Sequence, residues 1–289
     1  MKKFKKVWII LAVCLIISGA IISALALASL NFDFAGLSTE KFIESEQQID
    51  QDFSNIKIDV NTSDIKFAPS NDNKCKVVFI DTPNLKHTVN VDNDTLFISI
   101  QDSRKWYEHI GISFGKWSLT VYLPKETYNS LSIESDTSDI TIPKDFAFTN
   151  IKIETDTGDV TLLSSASDLL DISTDTGKIE IGNIDRNVNV IKCKNIKVES
   201  DTGDVKLLRT MASDTITVQT ATGDVWFYVV KAPYVKVKTN TGDVEGNLYY
   251  APTFKTNTDT GSVKVPPTKN DDVFEIDTNT GDIYFKVVK

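Results

Sequence analysis

Carboxylates are the first residues in this chain whose type and spacing could do chemistry. Asp156 and Asp159 flank one glycine, and Asp201 and Asp204 flank another. Stacked in register, such pairs would form two acid columns, and calcium takes six to eight oxygens that several carboxylates can share. Lys178, Ala221, Asn240 and Ser262 interrupt the columns. The nine-residue, glycine-dense repeat of calcium-binding β-rolls is not present. The columns therefore read first as solvated corners, with a calcium-binding adhesin as an alternative. Acid–base catalysis on a polysaccharide is a second possibility, since glycoside-cleaving sites need clustered acids with partners. The three arginines (Arg104, Arg186, Arg209) and two histidines (His87, His109) do not recur at a common repeat position. A secreted carbohydrate-active β-helix enzyme is thus the alternative function, and no catalytic, cofactor or metal residue is assigned. Aromatic side chains are the third possibility. Trp106, Tyr107, Phe114 and Trp117 cluster in one loop, and Trp226, Phe227 and Tyr228 precede Tyr234, Tyr249 and Tyr250. Strand alternation puts Trp226 and Tyr228 on the face opposite Val225, Phe227 and Val229. With Val225 inward, Trp226 and Tyr228 face out, where exposed aromatics mark a contact surface. Trp106, Tyr107, Trp117, Trp226 and Tyr228 are the candidate residues for binding an envelope protein or a glycan.

The elements that would position these residues are set by a repeat. Nine copies of one turn recur, among them NTSD before Ile65, DTGD before Val160 and NTGD before Ile283. The third position is Ser63, Ser138, Gly158, Gly177, Gly203, Gly223, Gly242, Gly261 and Gly281, and from Ser138 the intervals are 20, 19, 26, 20, 19, 19 and 20 residues. A fixed period of this length is the mark of a stacked repeat architecture. Within IKIETDTGDVTLL (151–163), Ile151, Ile153, Thr155 and Thr157 share one parity, while Val160 and Leu162 share the other. One residue must be absorbed at the turn to keep the apolar face inward. Gly158 and Asp159 stand there, and glycine accepts the positive φ of a corner. The preceding Asp156 is expected to make an Asx-type bond. Ser63 and Ser138 meet positive φ less readily, so their corners are expected to differ. Two-residue Asn-Gly or Asp-Gly hairpin loops are missing. The fold expected is all-β: a single-stranded parallel β-solenoid (β-helix) of ~20-residue coils, preceded by one transmembrane α-helix.

Four lysines fall in residues 1–6, and 7–30 contain no charge. That is long enough to cross a bilayer, with the basic flank cytoplasmic. Cleavage after Ala24-Leu25-Ala26 or Ala26-Leu27-Ala28, and lipidation at Cys14, are competing export signals. The organisation expected is a cytoplasmic tail at 1–6, a transmembrane helix or uncleaved signal anchor at 7–30 and a linker at 31–52 with a helical turn or two. An irregular β cap region at 53–130 and regular coils at 131–289 follow. The net charge of −9 becomes −13 beyond the basic tail, which speaks against nucleic acid as a partner. Cys75 and Cys193 read as buried free thiols rather than a disulfide framework.

From about residue 53 to 289 the chain resembles the bacterial putative-adhesin family of unknown function, whose members include proteins encoded near Lia-type envelope-stress regulators. The units like IKIETDTGDV and the run WSLTVYLPKETYNSLSIESDTSDI (117–140) carry this resemblance. It implies an exported, non-enzymatic binding or structural module on a single-pass membrane anchor, with a tie to envelope stress, and no family catalytic residues to carry over.

Overall fold

The computed structural model describes residues 2–29, 41–105, 117–186, 188–267 and 270–288. An apolar helix, Lys2–Ser29, is followed by strands in two sheets of twelve and eleven strands. Each coil sends one long strand through the eleven-stranded sheet, turns at the glycine, and sends one short strand through the twelve-stranded sheet. Ala147–Thr157 and Val160–Leu162 form such a coil around Gly158. The chain is a parallel β-solenoid.

Register puts like residues on like. In the long strands Ile133, Ile153, Ile172, Val198, Val218 and Val237 align through successive parallel pairs. In the short strands Ile140, Val160, Ile179, Val205, Val225 and Val244 do the same. All of these are buried. The parity switch at the corner therefore keeps both strands facing one core. Each inward aliphatic contributes about 1.5–3 kcal/mol of burial, but only because a neighbouring coil covers it.

The corners show why glycine is required. Gly177 has φ +155°, and a Cβ there would lie 2.0 Å from the carbonyl oxygen of Gly158 in the next coil. Neither Ser63 nor Ser138 is among the residues with positive φ, so the two serine corners do differ. A second feature surrounds the glycines. Three residues before six of the seven stand Thr155, Thr174, Ser200, Thr220, Thr239 and Thr278, and Ser135 stands likewise before Ser138, all buried, while Thr258 before Gly261 is half-buried. Several of these hydroxyls donate to a corner carbonyl of the adjacent coil, as Thr278 Oγ1 does to Gly242 O at 3.2 Å.

Four features depart from simple sequential coiling. Residues 43–49, expected within a linker and as helical turns, form a strand, Ile43–Ile49, antiparallel to Cys75–Asp81 at the end of the twelve-stranded sheet. Its glutamates Glu44 and Glu46 suit an edge. Second, Leu85–Asp92 and Thr95–Asp102 form an antiparallel hairpin. Its turn is Asn93-Asp94, both at positive φ, which does the work of the missing Asn-Gly. Third, the insertion before Gly203 is a loop pinned by Arg209, whose Nη1 donates to Asp185 O and Val188 O, both at 2.6 Å.

The fourth lies at the C-terminal end. Val273–Thr280 pairs with both Tyr234–Thr241 and Thr253–Thr260. Space order is therefore Gly242, Gly281, Gly261, although Gly261 comes earlier in sequence. Thr256 explains the exchange. It stands in the column of Ile276 and Val237, and a coil with a polar inward residue is better placed at the open end than between two apolar neighbours. The last strands in sequence are thus interior, and the 253–264 coil closes that end of the stack. At the other end the Ser63 coil stacks directly on Ser138. The nine corners span about 38 Å at the interstrand spacing.

Candidate functional site

The second acid column has a structural task. Asp159 N donates to Asp139 Oδ1 at 2.9 Å, and Lys178 N to Asp159 Oδ1 at 2.8 Å. Asp224 N donates to Asp204 Oδ1, Asp243 N to Asp224 Oδ1, Asp282 N to Asp243 Oδ1 and Ser262 N to Asp282 Oδ1, at 2.7–3.0 Å. Each carboxylate caps the next coil's corner amide. The Asx bond expected of Asp156 is therefore made instead by the acid after the glycine, and across coils rather than within one. Among the described residues no group of three or more His, Cys, Asp or Glu side chains is placed to hold a metal ion.

Three of the basic residues weighed for catalysis, His87, Arg104 and Arg209, are spent on structure. His87 is buried, its Nδ1 lies 2.8 Å from Asp81 Oδ1, and its ring packs on Phe79 with centroids 5.0 Å apart. Burial pushes its pKa down, against the opposing pull of Asp81. Arg104 forms an ion pair with Asp102 at 2.7 Å. His109 lies outside the described residues. Cys75 and Cys193 are free and buried, and burial raises the Cys75 thiol to about 12.

The candidate aromatics separate. Trp106 and Tyr107 lie outside the described residues. Trp117 is half-buried, edge-on to Phe42 at 5.1 Å. It lines a hollow of about 290 Å³ beside Ser63 and Ser138. Trp226 and Tyr228 face outward on the twelve-stranded sheet while Val225 and Phe227 are fully buried. Their rings lie at an interplanar angle of 25° with centroids 6.1 Å apart. Tyr234, grouped with them in the sequence, is on the other sheet and donates to Glu275 Oε2 at 2.8 Å. Tyr250 packs against Phe274, and Tyr249 is 50% exposed near the C-terminal cap.

Register adds residues that sequence reading passed over. Lys206, Trp226, Glu245 and Tyr284 form one outward row across four adjacent strands. Lys264 ends the row, its ammonium 5.5 Å from the Tyr284 ring. A cleft of about 350 Å³ opens at Trp226, between Lys206 and Glu245 and along Asp204, Asp224 and Asp243. Neither Lys206 nor Glu245 has an ion-pair partner among the described residues. The opposite sheet presents charge pairs instead, such as Lys152–Glu154 and Lys197–Glu199. The column positions of Trp226 and Tyr284 were countable from their corners, but the coil exchange made them look three coils apart rather than two.

Among curated proteins nothing matches this chain. Among solved structures it is similar to a putative adhesin from Parabacteroides merdae ATCC 43184, at 17% identity and a TM-score of 0.53, covering 87% of this chain and 98% of that one. It is also similar to a putative adhesin from Parabacteroides distasonis ATCC 8503, at 14% identity and a TM-score of 0.51, covering 86% and 98%. These likenesses show a shared fold. Residues 53–195 and 191–289 each match the Toastrack DUF4097 family, and the chain belongs to that family.

Proposed function

We propose that this protein is a non-enzymatic binding and structural module of the bacterial cell envelope, held to the membrane by its N-terminal helix with the solenoid outside the cytoplasm. The observation that carries the binding reading is the outward Trp226–Tyr228 pair. It sits on the outer face of the twelve-stranded sheet, and large aromatics left half-open on a rigid surface mark contact sites. The similar structures described as putative adhesins support the same reading. Anchoring rests on the helix: Lys6–Ser29 is apolar enough to span a bilayer, and none of it is buried against the rest of the chain. The four lysines within residues 1–6 favour a cytoplasmic N-terminus. The resemblance to proteins encoded near Lia-type regulators adds envelope stress as the setting.

Full-length protein in detergent, used to capture material from envelope extract beside the Trp226→Ala variant, tests the binding reading. Retention that depends on Trp226 supports it, and retention of nothing by either form removes it. Protease added outside intact cells should remove the solenoid; full protection would contradict the orientation.

A further inference from the structure

We infer that the cleft at Trp226 is a saccharide subsite for an uncharged or amino-bearing glycan strand lying along the Lys206–Trp226–Glu245–Tyr284 row. This rests on the binding reading above and names its ligand. Three observations carry it.

The first is shape. Trp226 and Tyr228 present two nearly parallel rings from one strand, 6.1 Å apart. Tyr284 lies two strands further along the row, about 9.6 Å at the interstrand spacing. Flat rings on a rigid sheet suit the C–H faces of sugar rings, and an extended strand crossing the coils meets Trp226 and then Tyr284. The second is polar equipment. Lys206 and Glu245 flank the Trp226 ring in register, both without ion-pair partners. A few placed polar groups around an apolar platform fix the orientation of a polyhydroxyl ligand. A protein partner would need an apolar core within roughly 800 Å² per side. This row instead alternates aromatic and charged residues. The third is charge. The cleft holds Asp204, Asp224, Asp243 and Glu245 against Lys206 alone. In each of the three aspartates Oδ1 caps the next coil's amide, and among the described residues Oδ2 accepts no hydrogen bond. That potential repels phosphate- or uronate-bearing polymers and favours neutral sugars and free amino groups.

The test uses full-length protein in detergent and calorimetric titration with three probes. These are an N-acetylglucosamine hexamer, its de-acetylated form carrying free amines, and a galacturonic acid hexamer. The first two should bind and the third should not. Trp226→Ala should weaken binding about tenfold or more. Trp226→Thr, which keeps a strand-favouring residue, should do the same at unchanged thermal midpoint and so separates loss of the platform from loss of fold. Glu245→Gln should weaken the amino-bearing probe severalfold more than the acetylated one. Absence of binding by both of the first two probes, binding undiminished in Trp226→Thr, or preference for the uronate overturns the inference. Trp226-dependent capture of an envelope protein without glycan would overturn it too, yet leave the binding reading standing; capture of nothing sinks both.

Discussion

Replacing Gly177 by alanine perturbs the ladder at one of its close backbone approaches. The corner has φ +155°, and the added Cβ would sit 2.0 Å from Gly158 O and 2.6 Å from Gly158 C. Backbone in that region costs an L residue about 1–3 kcal/mol. The overlap is with backbone, so it is relieved only by moving one coil against the next. That movement strains Gly158 N to Thr176 O (2.9 Å) and Thr174 Oγ1 to Gly158 O (3.5 Å). Losing or weakening these adds about 1 kcal/mol each, for a total of about 3–5 kcal/mol. Ser138→Ala is the matched control. That corner already carries a Cβ at ordinary φ, so only the hydroxyl contacts with Ser135 Oγ and Ser63 N are lost, at about 1 kcal/mol. Guanidinium unfolding followed by circular dichroism reads both variants, with an unchanged slope required for comparison. Hydrogen exchange should localise the Gly177→Ala loss to the coils around residues 158–203. A Gly177→Ala protein within about 0.5 kcal/mol of wild type would refute the steric account of the corner.

Three further outcomes follow from the same geometry. Thr278→Val removes a buried hydroxyl bonded to Gly242 O and should cost about 1 kcal/mol. Thr239→Val removes a buried hydroxyl with no partner and should be neutral or stabilising; thermal midpoints compare the two. Asp224→Ala strips the acceptor from Asp243 N and should cost about 1 kcal/mol, read as faster amide exchange at Asp243. Burial depresses the His87 pKa below its ordinary 6.5, so below that value the unfolded chain binds more protons than the folded one. Stability should therefore fall as pH drops through 6.5, and His87→Leu should flatten that slope in denaturation curves taken from pH 7 to pH 5. An unchanged slope would place His87 outside the pH response.

The period and the parity switch were legible because both are local: corner spacing and alternation within IKIETDTGDV are enough to give inward Ile151, Ile153, Val160 and Leu162. Contacts between coils were not. Asp156 and Asp159 look alike in sequence, and only the pitch of the stack decides that Asp159 reaches the next amide. The buried Thr155 column was hidden by its polarity, since threonine in a strand reads equally well as outward. Ile43–Ile49 was obscured by its glutamates, which belong on an edge. The coil exchange had one clue, Thr256 where other coils carry isoleucine or valine, but adjacency in sequence is the default for solenoids. For the binding surface, strand alternation placed Trp226 and Tyr228 correctly, whereas Glu245 and Tyr284 joined them only through register.

The stacked order of the corners is tested most directly by disulfide trapping at outward positions of the long strands. Lys238 and Asp277 are in-register neighbours, while Asn257 lies beyond Asp277. Neighbours at about 4.8 Å are within disulfide reach, and residues two strands apart at about 9.6 Å are not. Under mild oxidation Lys238→Cys with Asp277→Cys should crosslink, and Lys238→Cys with Asn257→Cys should not. The reverse result would mean that the coils stack in sequence order and that the outward row proposed to hold a ligand does not exist.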